Sequence, residues 1–212
     1  MPQEVLHEAG SMRARICAAA FDLFGEKGYD GASMNEVAER VGIAKPSLYN
    51  YYRSKEELLL DLVERGMRQW VDFCMAPLAV PASFERQLAD HLRLTVEFSS
   101  RNPHMVAVFH MATSHVQGEL AARVQQRVVE AEAAVHATFN QRIAEAVASG
   151  ELDPETRTGD LMMFLSVFFH GLLFMQTSCP HQVGPLADRL EPVWRMLYRG
   201  VAGRTPREAL RS

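Results

Sequence analysis

The sequence predicts an all-α protein, a small N-terminal helix-turn-helix unit followed by a larger helical remainder. Three observations carry this. Apolar residues recur at helical spacing in segment after segment. No stretch alternates apolar and polar as a half-buried strand does. The breaks fall at glycines, prolines and capping residues. Of the 212 residues 48% are hydrophobic, enough for a sizeable core, and the length suits a small domain, 1–54, plus a larger one, 55–212.

Residues 1–11 lack periodicity and read as a frayed arm. The first helix is expected over 13–27, with Ile16, Ala20, Leu23 and Phe24 as its stripe and Gly28 as its end. Ser33 then stands three residues before Glu36, the spacing of a capping box. Met34, Val37, Ala38 and Val41 share one face of the helix that follows, and Gly42 suits the positive φ of a tight turn. A second short helix begins near Ala44, with Pro46 in the first turn, where a missing N–H is harmless. Leu48, Tyr51 and Tyr52 are expected to face the preceding helix, leaving Lys45, Ser47, Tyr49 and Asn50 outward. Two helices joined this way, the second with polar side chains outward, form a helix-turn-helix suited to the major groove.

The stretch AAAFDLFGEKGYDGASMNEVAERVGIAKPSLYNYYRSKEELL resembles the N-terminal domain of the TetR family of transcriptional regulators, over about residues 13–62. Phe24, Gly28-Tyr29, the capped helix, Gly42, Ser47-Leu48-Tyr49, Tyr51-Tyr52 and Ser54 through Leu58 agree with it in type and spacing. Family members more often have Thr at 33, Gly or Ala at 46, His at 50 and Phe at 52. Pro46 and Asn50 therefore bear on which operator is read. The resemblance implies an all-α dimer that binds double-stranded DNA at a palindromic operator and answers to a small-molecule effector. It also implies that Ser47, Tyr49, Asn50 and Lys55 contact phosphates, and that Ser33 caps and contacts together. Ala44, Pro46 and Tyr51 complete the expected DNA-facing set. Lys45 is the expected base reader, because lysine can donate to guanine O6 and N7.

The net charge of −4 argues against a generally basic nucleic-acid binder. Charge is uneven, however: from 40 to 55 the charged residues are Arg40, Lys45, Arg53 and Lys55, with no acid among them. Such a patch suits phosphates, although charge alone fits a solvated face equally well. Cys17, Cys74 and Cys179 have no C-x-x-C spacing and point to a reducing cytoplasm and to core packing. The N-terminus does not read as a signal peptide, and the longest apolar run, 161–175, is shorter than the ~20 residues that cross a bilayer. A cytoplasmic protein with no membrane partner is expected.

Ser54 and Glu57 cap a helix from 55 to about 74, long enough to carry a signal between the two domains. Pro77 and Pro81 mark a linker. Further helices are expected over 84–101, 104–114, 118–149, 157–178 and 186–201, broken by Pro103, by 150–154 and by 180–185. The 157–178 segment is apolar nearly all round and must be covered on several sides. It is either a fully buried core helix or half of an interface. The resemblance implies the latter: a homodimer through the last two helices.

No catalytic fingerprint is present, and no metal or cofactor is expected; His104, His110 and His115 lack i, i+4 spacing. Met105, Phe109, Phe139, Met163 and Phe168, with His110 and His170 as polar groups, are candidates to line a site for a largely apolar effector. The same residues at the same spacing also suit a plain core. The reading is a DNA-binding regulator, a repressor released by a ligand. A helical carrier or enzyme, or a regulator without an inducer, is the alternative.

Overall fold

The computed structural model describes residues 11–178, 192–196 and 198. All elements among them are helical: α1 Met12–Gly31, α2 Met34–Val41, α3 Lys45–Tyr49, α4 Lys55–Cys74, a 3-10 turn Ala76–Ala79, α5 Phe84–Arg101, α6 Pro103–Ser114, α7 Gly118–Ser149 and α8 Thr158–Ser178. The expected arm, Cys179, the 180–185 break and most of the 186–201 helix lie outside the described residues. Within that last segment 192–196 are helical, and the rings of Trp194 and Tyr198 stack with centroids 5.5 Å apart.

The described residues form two compact units, one within Met1–Trp70 and Ser99–Glu132, the other within Val71–Phe98 and Ala133–Ser212. In the first unit Ile16, Ala20, Leu23 and Phe24 of α1 meet Val37 and Val41 of α2, Leu48 of α3 and Leu58, Leu59 and Leu62 of α4 in one apolar core. Its helices approach closely at glycines. A Cβ on Gly25 would lie 3.0 Å from the Cβ of His104 on α6, and one on Gly66 would lie 3.2 Å from Cγ of Met105. His104 Nδ1 also sits 2.7 Å from Asp22 of α1. The first unit thus takes in α6 and much of α4 along with the helix-turn-helix.

Gly28 breaks the helical path of α1 as expected, with φ 72° and ψ 176°. The short recognition helix differs from expectation. It stops at Tyr49, so by residue 51 the i, i+3 register has lapsed. Leu48 and Tyr52 are fully buried, but Tyr51 is turned out and 40% exposed.

The second unit buries Phe84, Leu88 and Leu92 of α5, Phe139 and Ile143 of α7, and Leu161 and Leu165 of α8. Gln87, His91 and Thr95, four residues apart on α5, are buried too. Gln87 and His91 serve backbone carbonyls. Gln87 donates to the carbonyl of Val80 at 2.7 Å, and His91 Nδ1 donates to that of Cys74, the last residue of α4, at 2.8 Å. Burial brings His91 down to about 4 and the Cys74 thiol up to about 12, so both are neutral at neutral pH. On α8, Met163, Phe164, Val167 and Phe174 face outward.

Candidate nucleic-acid interface

The turn that sets α3 against α2 is built from local chemistry. Ser33 Oγ accepts from the N–H of Glu36 at 3.3 Å, and the Glu36 carboxylate accepts from the N–H of Ser33 at 2.9 Å, a complete capping box. Lys27 and then Ser33 donate to that carboxylate and hold it down at about 2. The Ser33 hydroxyl is therefore spent on Glu36. Replacing Ser33 with Ala is expected to lower stability by about 1 kcal/mol, read as a lower denaturant midpoint at unchanged slope. At the other end Gly42 takes φ 77° and ψ 36°, and its N–H closes on Ala38 and Glu39. That left-handed residue lets the chain reverse and start α3 at once, with Ala44 as N-cap and Pro46 in the first turn.

The result is a one-sided helix. Leu48 and, just beyond the helix, Tyr52 point inward and fasten it to the core. Ala44, Lys45, Pro46, Tyr49, Asn50 and Tyr51 are exposed, and Ser47 is half-buried. Among the described residues no side-chain hydrogen bond or ion pair engages Ser47, Tyr49, Asn50 or Tyr51. Lys45 lies over the Tyr49 ring, with Nζ 5.9 Å from the centroid. A helix whose outward polar groups lack internal partners is equipped to bond something external. Its width fits a major groove.

Lys55 stands differently from the rest of the expected set. Its ammonium donates to the carbonyls of Tyr29 at 2.5 Å and Ala32 at 2.9 Å and lies over the Tyr29 ring, 4.2 Å from the centroid. It ties the end of α1 to the start of α4. Ser54 caps that start, accepting from the N–H of Glu57 at 3.1 Å, while the Glu57 carboxylate reaches back to the N–H of Arg53 at 2.8 Å.

Behind α3 lies a polar cluster that periodicity did not pick out. The Tyr52 hydroxyl donates to the Asp61 carboxylate, accepts from Arg13 Nε at 3.1 Å and sits 3.2 Å from Cys17 Sγ. Arg65 Nε donates to the same carboxylate at 2.9 Å, and Arg13 Nε is 3.5 Å from it. Burial opposes ionisation of Asp61. The hydrogen bonds from Tyr52 and Arg65, with the charges of Arg65 and Arg13, outweigh it and hold the carboxyl below its usual range. Burial first, and then the bond to Asp61, raise the Tyr52 phenol; burial raises the Cys17 thiol. One carboxylate thus joins α1, the end of the recognition segment and α4. Its signal in the sequence is an acid set among Leu58, Leu59 and Leu62, together with Tyr where the family more often has Phe.

The residues expected to line an effector site fall into two groups. Met105, Phe109 and His110 belong to the first unit. Met105 fills the notch at Gly66, Phe109 packs on the apolar core, and the His110 ring meets that of His115 at 5.6 Å. Phe139, Met163, Phe168 and His170 belong to the second unit. Phe139 is buried edge-on against His91, and Phe168 stacks on Phe164 at 6.3 Å. Met163 is 65% exposed, and His170 Nδ1 donates to the Ser166 carbonyl at 2.8 Å from an exposed position. Among the described residues no three His, Cys, Asp or Glu side chains are grouped to hold a metal ion, and no helix is long and apolar enough to cross a membrane.

Comparison with known proteins places the helix-turn-helix in a family. Residues 16–62 match the family described as bacterial regulatory proteins, tetR family. The biofilm operon icaADBC negative transcriptional regulator IcaR of Staphylococcus epidermidis is 39% identical over 64 residues, 30% of this chain and 35% of that protein, so the chain spans about a third of that curated relative. The transcriptional regulator FadR of Bacillus subtilis, solved in complex with stearoyl-CoA, has a TM-score of 0.73 over 89% of this chain and 98% of that one; at 18% identity this speaks for the fold alone. A solved TetR family transcriptional regulator from Chloroflexus aurantiacus is 26% identical, with a TM-score of 0.64, and 96% of each chain is covered. The matched segment is the one that builds the capped turn and the outward face of α3, so residues 16–62 form a DNA-binding domain of the kind found in bacterial regulatory proteins of the tetR family.

Proposed function

We propose that this chain works in the cytoplasm as a homodimeric, sequence-specific repressor, released from DNA by a largely apolar small molecule. The observation that carries the DNA-binding reading is the outward face of α3, where Ser47, Tyr49, Asn50 and Tyr51 have no side-chain partner among the described residues. Residues 1–54 hold the DNA and 55–212 provide the effector site and the dimer. Each subunit lays Ala44 to Tyr51 in a major groove of a palindromic operator, with half-sites about one helical turn, ~34 Å, apart or somewhat more. Lys45 reads bases; Ser47, Tyr49 and Asn50 bind phosphates and fix the register.

The outward apolar side chains of α8 support a second copy as the cover for that face. FadR of Bacillus subtilis binds stearoyl-CoA in its solved structure, which makes a long acyl thioester the first effector to try here. Release requires that the effector prefer the subunit arrangement that cannot span the operator; equal affinity for both arrangements shifts nothing. Two tests follow. A random duplex pool is selected against the purified protein, with and without stearoyl-CoA. A palindrome enriched only in its absence supports the reading, and a pool that stays random refutes DNA recognition. Lys45→Ala is then expected to weaken binding to the selected duplex by roughly 1–3 kcal/mol and to relax the consensus at the base it reads. Unchanged affinity and consensus would remove Lys45 from that role.

A further inference from the structure

We propose that Arg53, in the bend between α3 and α4, is the cationic side chain that anchors each subunit to the phosphate backbone, and that Lys55 and Arg40 are not. The proposal rests on the DNA-binding reading above and sorts the cations that reading has at its disposal.

From residue 13 to residue 55 the cationic side chains are Arg13, Arg15, Lys27, Arg40, Lys45, Arg53 and Lys55. Most are committed inside the chain. Arg13 bonds Tyr52 and pairs with Asp61. Arg15 donates to the carbonyl of Val41 at 2.9 Å. Lys27 pairs with Glu36. Arg40 grips the Glu26 carboxylate with both arms of its fork, at 3.1 and 2.8 Å. Lys55 bridges two carbonyls under the Tyr29 ring. A cation already matched by a carboxylate brings no net charge to a phosphate. A cation held on carbonyls must give those bonds up to reach one.

Two remain. Lys45 sits on the outward face of α3 and is the base reader. Arg53 is exposed, and among the described residues no ion pair or hydrogen bond engages its guanidinium. The nearest acid in sequence beyond it, Glu56, is 3.5 Å from Arg123, and Glu57 is spent on the backbone N–H of Arg53 itself. Tyr51 and Arg53 are both exposed while Tyr52 between them is fully buried, so the phenol and the guanidinium lie outward on either side of a residue fixed in the core. The planar fork of Arg53 suits a phosphate bidentately. Near the helix-turn-helix Glu26 and Glu36 are neutralised in place and these two cations are not, which favours the approach of a chain of net charge −4 to DNA.

The test is the salt dependence of binding to a duplex the unaltered protein selects, for Arg53→Gln, Arg53→Lys and Lys55→Gln. Removing one cation–phosphate pairing lowers the slope of log affinity against log salt by about 0.9, so Arg53→Gln in a two-fold complex is expected to lower it by about 2. Affinity at about 0.1 M salt should fall on the order of tenfold or more, with the melting temperature and base preference unchanged. Arg53→Lys should recover most of the slope, since it keeps the charge. Lys55→Gln should lower the melting temperature and change the slope by less than Arg53→Gln does. A slope in Arg53→Gln equal to that of the unaltered protein, or a larger loss in Lys55→Gln, would overturn the proposal while leaving the DNA-binding reading intact. Failure of the unaltered protein to bind any duplex would overturn both.

Discussion

Replacing Val167 with glutamate is expected to split the proposed dimer without unfolding the subunit. Val167 is 69% exposed on α8, beside Met163 and Phe164 and two turns from Phe174. In a lone subunit a carboxylate there stays in water and has little effect on folding. Beneath a second copy of the same helix it is buried without a cation, which costs several kcal/mol at each of two symmetry-related sites. Val167 is a cleaner probe than Phe168, because Phe168 is half-buried and stacks on Phe164, so a charge there mixes core damage with interface damage. Loss of the dimer removes simultaneous engagement of two half-sites, an effect of about 10²–10⁴ in affinity for linked sites of matched geometry. Sedimentation and duplex titration of the variant at unchanged melting temperature read both consequences. A Val167→Glu protein that remains a dimer and binds DNA normally would remove this face of α8 from the interface.

Asp61→Ala is expected to destabilise the DNA-binding unit strongly. It leaves the guanidinium groups of Arg13 and Arg65 without their shared carboxylate and the Tyr52 hydroxyl without its acceptor. Breaking a largely buried, hydrogen-bonded ion pair from one side costs about 3 kcal/mol, of which half-exposed Arg13 supplies the smallest part. The sign of the pH dependence follows from the depressed carboxyl. Its stabilisation is fully present above the unfolded value of about 3.9 and is lost as pH falls through the lower folded value. The gap in stability between the unaltered protein and Asp61→Ala should therefore be flat at neutral pH and close in acid, as chemical denaturation at several pH values would measure. A gap that instead widens in acid would show that Asp61 is not ionised in the folded protein. Tyr52→Phe keeps the ring in the core and removes the hydroxyl's bonds to Asp61 and Arg13, so about 1–2 kcal/mol is expected.

Much of the architecture was legible because its punctuation is chemical. Both ends of α7 fall where the residues put them: Gly118 and Gly150 take φ of 68° and 79° there, conformations that other residues rarely adopt. Gly42 and the Ser33–Glu36 box were readable for the same reason. What escaped was whatever depends on partners distant in sequence. Tyr51 reads as inward by helical spacing, and only the early end of α3 turns it out. Lys55 reads as a phosphate ligand, and the carbonyls of Tyr29 and Ala32 that hold it carry no side-chain signature. The row Gln87, His91 and Thr95 has the spacing of a solvated stripe and is instead buried, with Gln87 and His91 on backbone carbonyls. Soft apolar residues look alike in a core, a pocket and an interface, which is why Met163 and Phe139 share one expectation and occupy opposite environments.

Sedimentation equilibrium of the purified protein, alone and on a palindromic duplex taken from the selection, tests the whole arrangement most directly. Twice the subunit mass in free solution and two chains on each duplex are expected, with α3 of each chain in its own half-site. A single chain in solution that shows no preference among duplex sequences at low salt would contradict it.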